Sequence, residues 1–267
     1  MADPRTSPPL SGHVVICNVN EKVPAIVEQL RNDPVDGDLD IALIIQDKRL
    51  WDAKPDWHPD PGRKGKIIEI FGCPAQKESL QLAHIANAKA AIILADPLHG
   101  MLSDARSTLV GIAIERENPQ VHTVMELLLS INRTHLRATA VDEVICLGEL
   151  SEKLLSQSAV SPGVSRLFAH LLTASVGTAQ LFVRPMTGAL AGSTYRELAK
   201  RAIRNDAPYV VCGYIRPRPR PQSERQENVV VFNPRVDTTP GKDSPLDERD
   251  RLILLASTPP DLSLLHG

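Results

Sequence analysis

The residues best placed to do chemistry stand where short apolar runs end. The run His13 to Cys17 is followed by Asn18-Val19-Asn20-Glu21-Lys22-Val23. A parallel sheet binds ligands outside the carboxyl ends of its strands, and a dinucleotide needs G-x-G-x-x-G in the first such turn, where glycines let the backbone approach a pyrophosphate. Asn18, Asn20 and Val23 occupy the three glycine positions. Asparagine tolerates a left-handed turn, but its side chain fills the space a pyrophosphate would use. Glu21 adds negative charge there, and the acid that would hold a ribose is represented only by Gln46-Asp47. NAD is therefore not expected, and the turn reads as an empty or repurposed cleft. Asp96, Asp104 and Glu126 lie near the other run ends. Converging carboxylates could hold a hard cation such as calcium. The alternative is that Asp104 caps its helix and Glu126 pairs with a nearby base. The candidate ligand-binding set is Asn18, Asn20, Asp47, Asp96, Asp104 and Glu126, with Glu126 and Asp104 the candidate metal ligands.

Catalysis finds no support. There is no G-x-S-x-G, no H-E-x-x-H and no S-x-x-K with partner motifs, and the eight histidines are dispersed. The chain reads as a non-enzyme with no catalytic residues. Cys17, Cys73, Cys146 and Cys212 form no C-x-x-C pair, and Cys17, Cys146 and Cys212 lie in apolar runs, where a reduced thiol acts as a small hydrophobe. Neither a disulfide framework nor structural zinc is expected.

These positions must be held by ordered elements. The 267 residues carry 30 Lys+Arg against 32 Asp+Glu, a net charge of −2 that gives no drive toward nucleic acid, so none is expected as a partner. No window approaches the roughly 18 to 20 apolar residues of a membrane helix; the run Ala88 to Ala95 stops at Asp96. The opening MADPRTSPPL lacks a signal peptide's charged start and apolar stretch, which predicts a loose leader over residues 1–11 and a cytoplasmic chain. With 22 prolines and 3% aromatics, the cores must be built from Val, Ile, Leu and Ala, the composition of parallel sheets flanked by helices.

Apolar runs at 13–17, 41–45, 66–71, 90–95, 121–126 and 143–147 alternate with helical patterns, including one over 103–116 with Leu109, Ile112 and Ala113 on one face and one near 131–138. A polar, proline-rich insert spans 52–65. The fold class is α/β: a Rossmann-like doubly wound parallel sheet over 12–148, a hinged helix pair over 149–178 and a small α+β C-terminal lobe over 179–267 with a basic Pro-rich loop at 216–228. The helix pair is interrupted by Ser161-Pro162-Gly163.

HVVICNVNEK, FGCPAQKESLQLAHIANAKAAIIL and VDEVICLGELSEKLLSQSAVSPGVSRLFAHLL, in that order, resemble the RCK domain, the regulator of potassium conductance. The resemblance covers about residues 12–257 and includes the C-terminal lobe, through VVVFNPRVDTTPGKDSPLDERDRLILLA. It looks nearest to the gating-ring segments of calcium-activated potassium channels and of plant nuclear-envelope symbiosis channels. It implies a cytoplasmic ligand-sensing module, membrane-associated through a channel pore. Such modules dimerise and commonly form an octameric ring beneath a pore-forming membrane domain, supplied by the same full-length chain or another. Ligand binding in the lobe clefts would move the lobes, with the Ser161-Pro162-Gly163 break as hinge and Leu154, Leu155, Leu167, Phe168, Leu171 and Leu172 as the dimer seam; the alternative is that these leucines cover the chain's own sheet. The family's calcium positions in the first cleft fall on Cys73, Glu126 and Leu128, so only Glu126 remains of that set. The nucleotide-binding members keep the glycine turn that is absent here. An NAD(P)-dependent oxidoreductase and a ligand-free ring component are the competing readings.

Overall fold

Runs of Val, Ile, Leu and Ala form strands buried on both faces. The computed structural model describes residues 9–266 apart from 34, 36, 61–64, 97–98, 140, 174–176, 220–225 and 239. Most of the expected leader lies outside the described residues. The chain divides into two compact units, residues 1–165 and 166–267.

The first unit runs β1 (Val14–Cys17), α1 (Val23–Arg31), β2 (Ile41–Ile45), α2 (Lys48–Asp52), β3 (Ile67–Phe71), α3 (Lys77–Leu82), β4 (Ala90–Ile93), α4 (Ser103–Glu117), β5 (His122–Leu127), β6 (Glu143–Cys146) and α5 (Leu147–Val160). All six strands pair in parallel, in the order β3-β2-β1-β4-β5-β6. Strand order reverses between β1 and β4, which makes their carboxyl ends the crevice of a doubly wound sheet. Side chains alternate along each strand. Val15, Cys17, Ala42 and Ile44 therefore enter one core, while Val14, Ile16, Ile41, Leu43 and Ile45 enter the other, under α1. Burial pushes the Cys17 thiol up to about 12, so this cysteine is packing material, not a nucleophile.

Three expectations need correction here. Leu109 and Ile112 of α4 face outward, and Ser103, Asp104, Ser107, Val110, Gly111 and Ile114 form the buried face. The reason is close approach: a Cβ on Gly111 would stand 3.0 Å from Val141 Cγ2 and 3.1 Å from Met125 Cε, so small residues take the inner side. The helix expected near 131–138 is a run of 3-10 turns over Ser130–Ala138. The insert expected over 52–65 is not simply polar: it contains a 3-10 turn over Pro55–Trp57 with Trp57 buried, and it directly follows α2, whose Trp51 is buried as well.

His13 opens β1 fully buried, with Nε2 donating to the Ala83 carbonyl (2.8 Å) and Nδ1 without a partner. Burial lowers its pKa below the usual 6.5, helped by neighbouring His84. The unfolded chain then binds this proton more readily than the folded one, so stability is present above pH 6.5 and falls as the pH drops through the depressed folded value. Urea midpoints measured from pH 8 to 5 are expected to decline, and the decline to shrink in His13→Gln.

The second unit contains most of α6 (Val164–Leu172), then β7 (Gln180–Pro185), α7 (Tyr195–Arg204), β8 (Tyr209–Pro219), β9 (Gln226–Phe232) and β10 (Arg251–Ala256). Its sheet is antiparallel, in the order β7-β10-β8-β9. A capping box between Thr194 and Glu197 starts α7, whose Tyr195, Leu198 and Ala202 pack on Phe182, Val211, Tyr214, Leu252 and Leu254. Asp250, fully buried, accepts from Arg216 Nε (2.9 Å), Arg216 Nη2 (2.5 Å) and the Asp247 amide (2.8 Å). The two ends of the basic segment expected as a loop over 216–228 are strand: β8 runs to Pro219, β9 starts at Gln226, and Arg218 lies opposite Glu227, while residues 220–225 lie outside the described residues. Prolines at alternate positions remove only every second N–H, and the intervening arginines keep theirs for the ladder.

Candidate functional site

The crevice is built by the turn after β1 and the ends of β2, β4 and β5. Asn18 adopts the left-handed conformation (φ 61°) that its residue type tolerates. Its Nδ2 donates to the Leu94 carbonyl (3.0 Å), and Asn20 Nδ2 donates to the Ala95 carbonyl (3.1 Å). Asn20 Oδ1 accepts from the Lys22 amide, which fixes the turn leading into α1. Both asparagines are buried, and together they stitch the β1 turn to the end of β4.

Glu126 continues the stitching from β5. Its Oε2 accepts the Ala95 amide (3.0 Å), and its Oε1 accepts from Lys22 Nζ (2.5 Å). The partner base is thus Lys22, 104 positions away in sequence and absent from the expected set. Asp104 sits in the first turn of α4 but does not cap it in the usual sense, since the N-cap position is Leu102. It reaches across to the loop after β5, where Oδ1 accepts the Leu128 amide (2.9 Å) and Oδ2 accepts the Leu129 amide (3.1 Å) and Asn132 Nδ2 (2.7 Å). A buried carboxylate near a helix N-terminus, fed by three donors, is a structural anchor.

Asp96 forms a separate cluster. Its Oδ2 meets His99 Nδ1 (2.7 Å) and Arg106 Nε (3.2 Å). With its amide oriented to satisfy both neighbours, Gln46 donates to the same oxygen (3.1 Å) and accepts from Arg106 Nη2. Asp47 caps α2, accepting the Arg49 and Leu50 amides (2.8 and 3.1 Å). The structure therefore brings Asn18, Asn20 and Glu126 into one network around Leu94 and Ala95, and leaves Asp47, Asp96 and Asp104 in networks of their own. Asp104 and Glu126 do not share a centre. Each has its oxygens committed to protein donors, so the pair does not fit a calcium cage, which needs several oxygens turned toward one point. Among the described residues no three His, Cys, Asp or Glu side chains converge as a metal site would require.

The turn after β1 also borders a small cavity. The cavity lined by Asn18, Val19, Gln46, Asp47, Leu50, Trp51, Trp57 and Asp96 offers about 10 Å³ to water-sized spheres. That is room for about one water, where ligand pockets run to roughly 300–1,000 Å³. Trp51 and Trp57 line this cavity, Lys22 pairs with Glu126, and His99 and Arg106 pair with Asp96, none of the five having been expected there. The two tryptophans alone left a trace in the sequence, as the sole pair in an aromatic-poor chain.

Residues 9–125 match the family model of the calcium-activated potassium channel slowpoke-like RCK domain. The calcium-gated potassium channel TvoK of Thermoplasma volcanium is 24% identical over 194 residues, which cover 71% of this chain and 52% of the relative. The human SLO3 gating ring superposes with a TM-score of 0.62 at 15% identity, over 92% of this chain and 44% of that one. The chain thus spans about half the length of the relatives it matches. Among the described residues no helix is long and apolar enough to cross a membrane.

Proposed function

We propose that this chain is a cytoplasmic regulatory module of the gating-ring kind, acting as a homo-oligomer on a potassium-conducting or other cation-conducting pore and catalysing no reaction. The observation that carries the reading is the helix pair α5–α6. Neither helix buries a single residue. Leu155 is 71% exposed, Leu167 55%, Phe168 43% and Leu172 69%, while Leu154 and Leu171 are half-buried. Exposed apolar stripes on consecutive helices call for a partner surface, and a second copy of the same stripes supplies one. This favours the dimer seam over the alternative that the leucines cover the chain's own sheet.

Gly163, with φ 97°, makes the break between the helices in a conformation that other residues adopt only under strain. Paired helices joined by such a break can transmit a lobe movement as a coupling free energy between a ligand and the pore. The names of the two relatives, a calcium-gated potassium channel and a gating ring, agree with this role. Dimers would assemble further, up to an octameric ring, beneath a pore formed by another chain or another part of this one. Light scattering at micromolar concentration is expected to return at least twice the 29.2 kDa chain mass. A monomer at that concentration would overturn the proposal.

A further inference from the structure

The carboxyl end of β2 leads at once into a segment with two buried tryptophans. We propose that Lys48 to His58 is a resident strap that occupies the nucleotide position of the first unit's crevice, with Trp51 and Trp57 standing where a base would lie. The lobe is then not open to diffusible nucleotides, and a regulatory ligand must be read elsewhere in the molecule.

The strap leaves directly from β2, whose end is the ribose side of a dinucleotide crevice. Asp47 caps its helix, so the chain turns sharply at the carboxyl end of β2. Trp51 is 1% exposed and Trp57 8%, and both join the core formed by Ile16, Val19, Val23 and Leu94. His58 stacks on Trp51 with ring centroids 4.2 Å apart and planes 15° from parallel, and its Nε2 bonds the Trp51 carbonyl (2.9 Å). Just beyond the strap, Arg31 of α1 donates to the carbonyls of Asp60 (2.6 Å) and Gly65 (3.0 Å), tying down the return path. Among the described residues Trp51 Nε1 has no hydrogen-bond partner, which leaves packing bulk as the indole's contribution.

The pyrophosphate side is closed independently. Asn18 and Asn20 are bonded to the β4 end, and the Lys22 ammonium is paired with Glu126. Base and phosphate positions are therefore both taken by the chain itself.

The chain has two tryptophans, and both lie in the strap, so tryptophan emission reports on it alone. The emission is expected to be blue-shifted, with an acrylamide quenching constant at least about fivefold below that of the urea-unfolded chain, as burial in a close-packed core requires. NAD+, ADP and ATP, each at about 1 mM, are expected to leave the emission unchanged and to give no binding heat, which places any Kd in the millimolar range or weaker. Trp57→Phe should keep Trp51 shielded, whereas Trp57→Ala should raise its quenching constant about threefold by opening a cavity. If Trp57→Ala fails to fold, the wild-type and Trp57→Phe measurements still decide. Nucleotide binding by the wild type with a Kd below about 100 μM and a change in emission would overturn the proposal. So would emission as quenchable as that of the unfolded chain. Neither result would alter the mass in solution, so this proposal can fail while the oligomeric reading stands.

Discussion

Asp104→Ala is expected to lower the unfolding free energy by about 3 kcal/mol, because a buried carboxylate that accepts several hydrogen bonds leaves its donors unpaired when removed. The donors are the Leu128 and Leu129 amides and Asn132 Nδ2. They belong to the loop that follows β5, so the loss should loosen the carboxyl edge of the sheet, where Glu126 also acts. Asp104→Asn keeps an acceptor oxygen but trades the other for an amide that faces donors, so it should lie between wild type and alanine. The measurement is a urea titration of each variant with millimolar calcium and with chelator. A structural anchor gives the same loss in both. A loss that appears only with calcium present would show that Asp104 is a cation ligand and that its bonds to the β5 loop are secondary.

The order of elements in the first unit was legible because parallel strands buried on both faces read as unbroken apolar runs, as β1 and β2 do. The turn chemistry was legible as well. An asparagine in place of the first glycine tolerates a left-handed turn, and Asn18 adopts one with φ 61°. What a side chain bonds to across the fold was not legible. The partners of Asp104 include two backbone amides, which carry no residue signature, and Glu126 finds Lys22 from the far side of the sheet's switch point. The inner face of α4 was hidden for a related reason. Hydrophobic periodicity marks large residues, but where helix and sheet approach as closely as at Gly111, small residues join Val110 and Ile114 on the buried face and Leu109 and Ile112 are turned out. The strap escaped because a proline-rich, charged stretch reads as solvated, while two indoles are enough to anchor it.

Placing a carboxylate in the α5–α6 stripe is expected to dissociate the assembly without unfolding the chain. Phe168→Asp and Leu155→Asp alter residues that are already exposed in the single chain, 43% and 71%, so neither should shift the unfolding midpoint of the monomer appreciably. In a two-fold seam each substitution appears twice. Burying two unpaired carboxylates at even a few kcal/mol together corresponds to a weakening of self-association by about a hundredfold or more. Light scattering of the variants at micromolar concentration should therefore return the single-chain mass where the wild type returns a multiple. Leu109→Asp on α4 is the control for generic surface charge: it too alters an exposed leucine, but on a helix outside the proposed seam, and should leave the dimer intact. If Phe168→Asp and Leu155→Asp keep the wild-type mass, the helix pair is not the seam, and its exposed stripe must be covered by something other than its own copy.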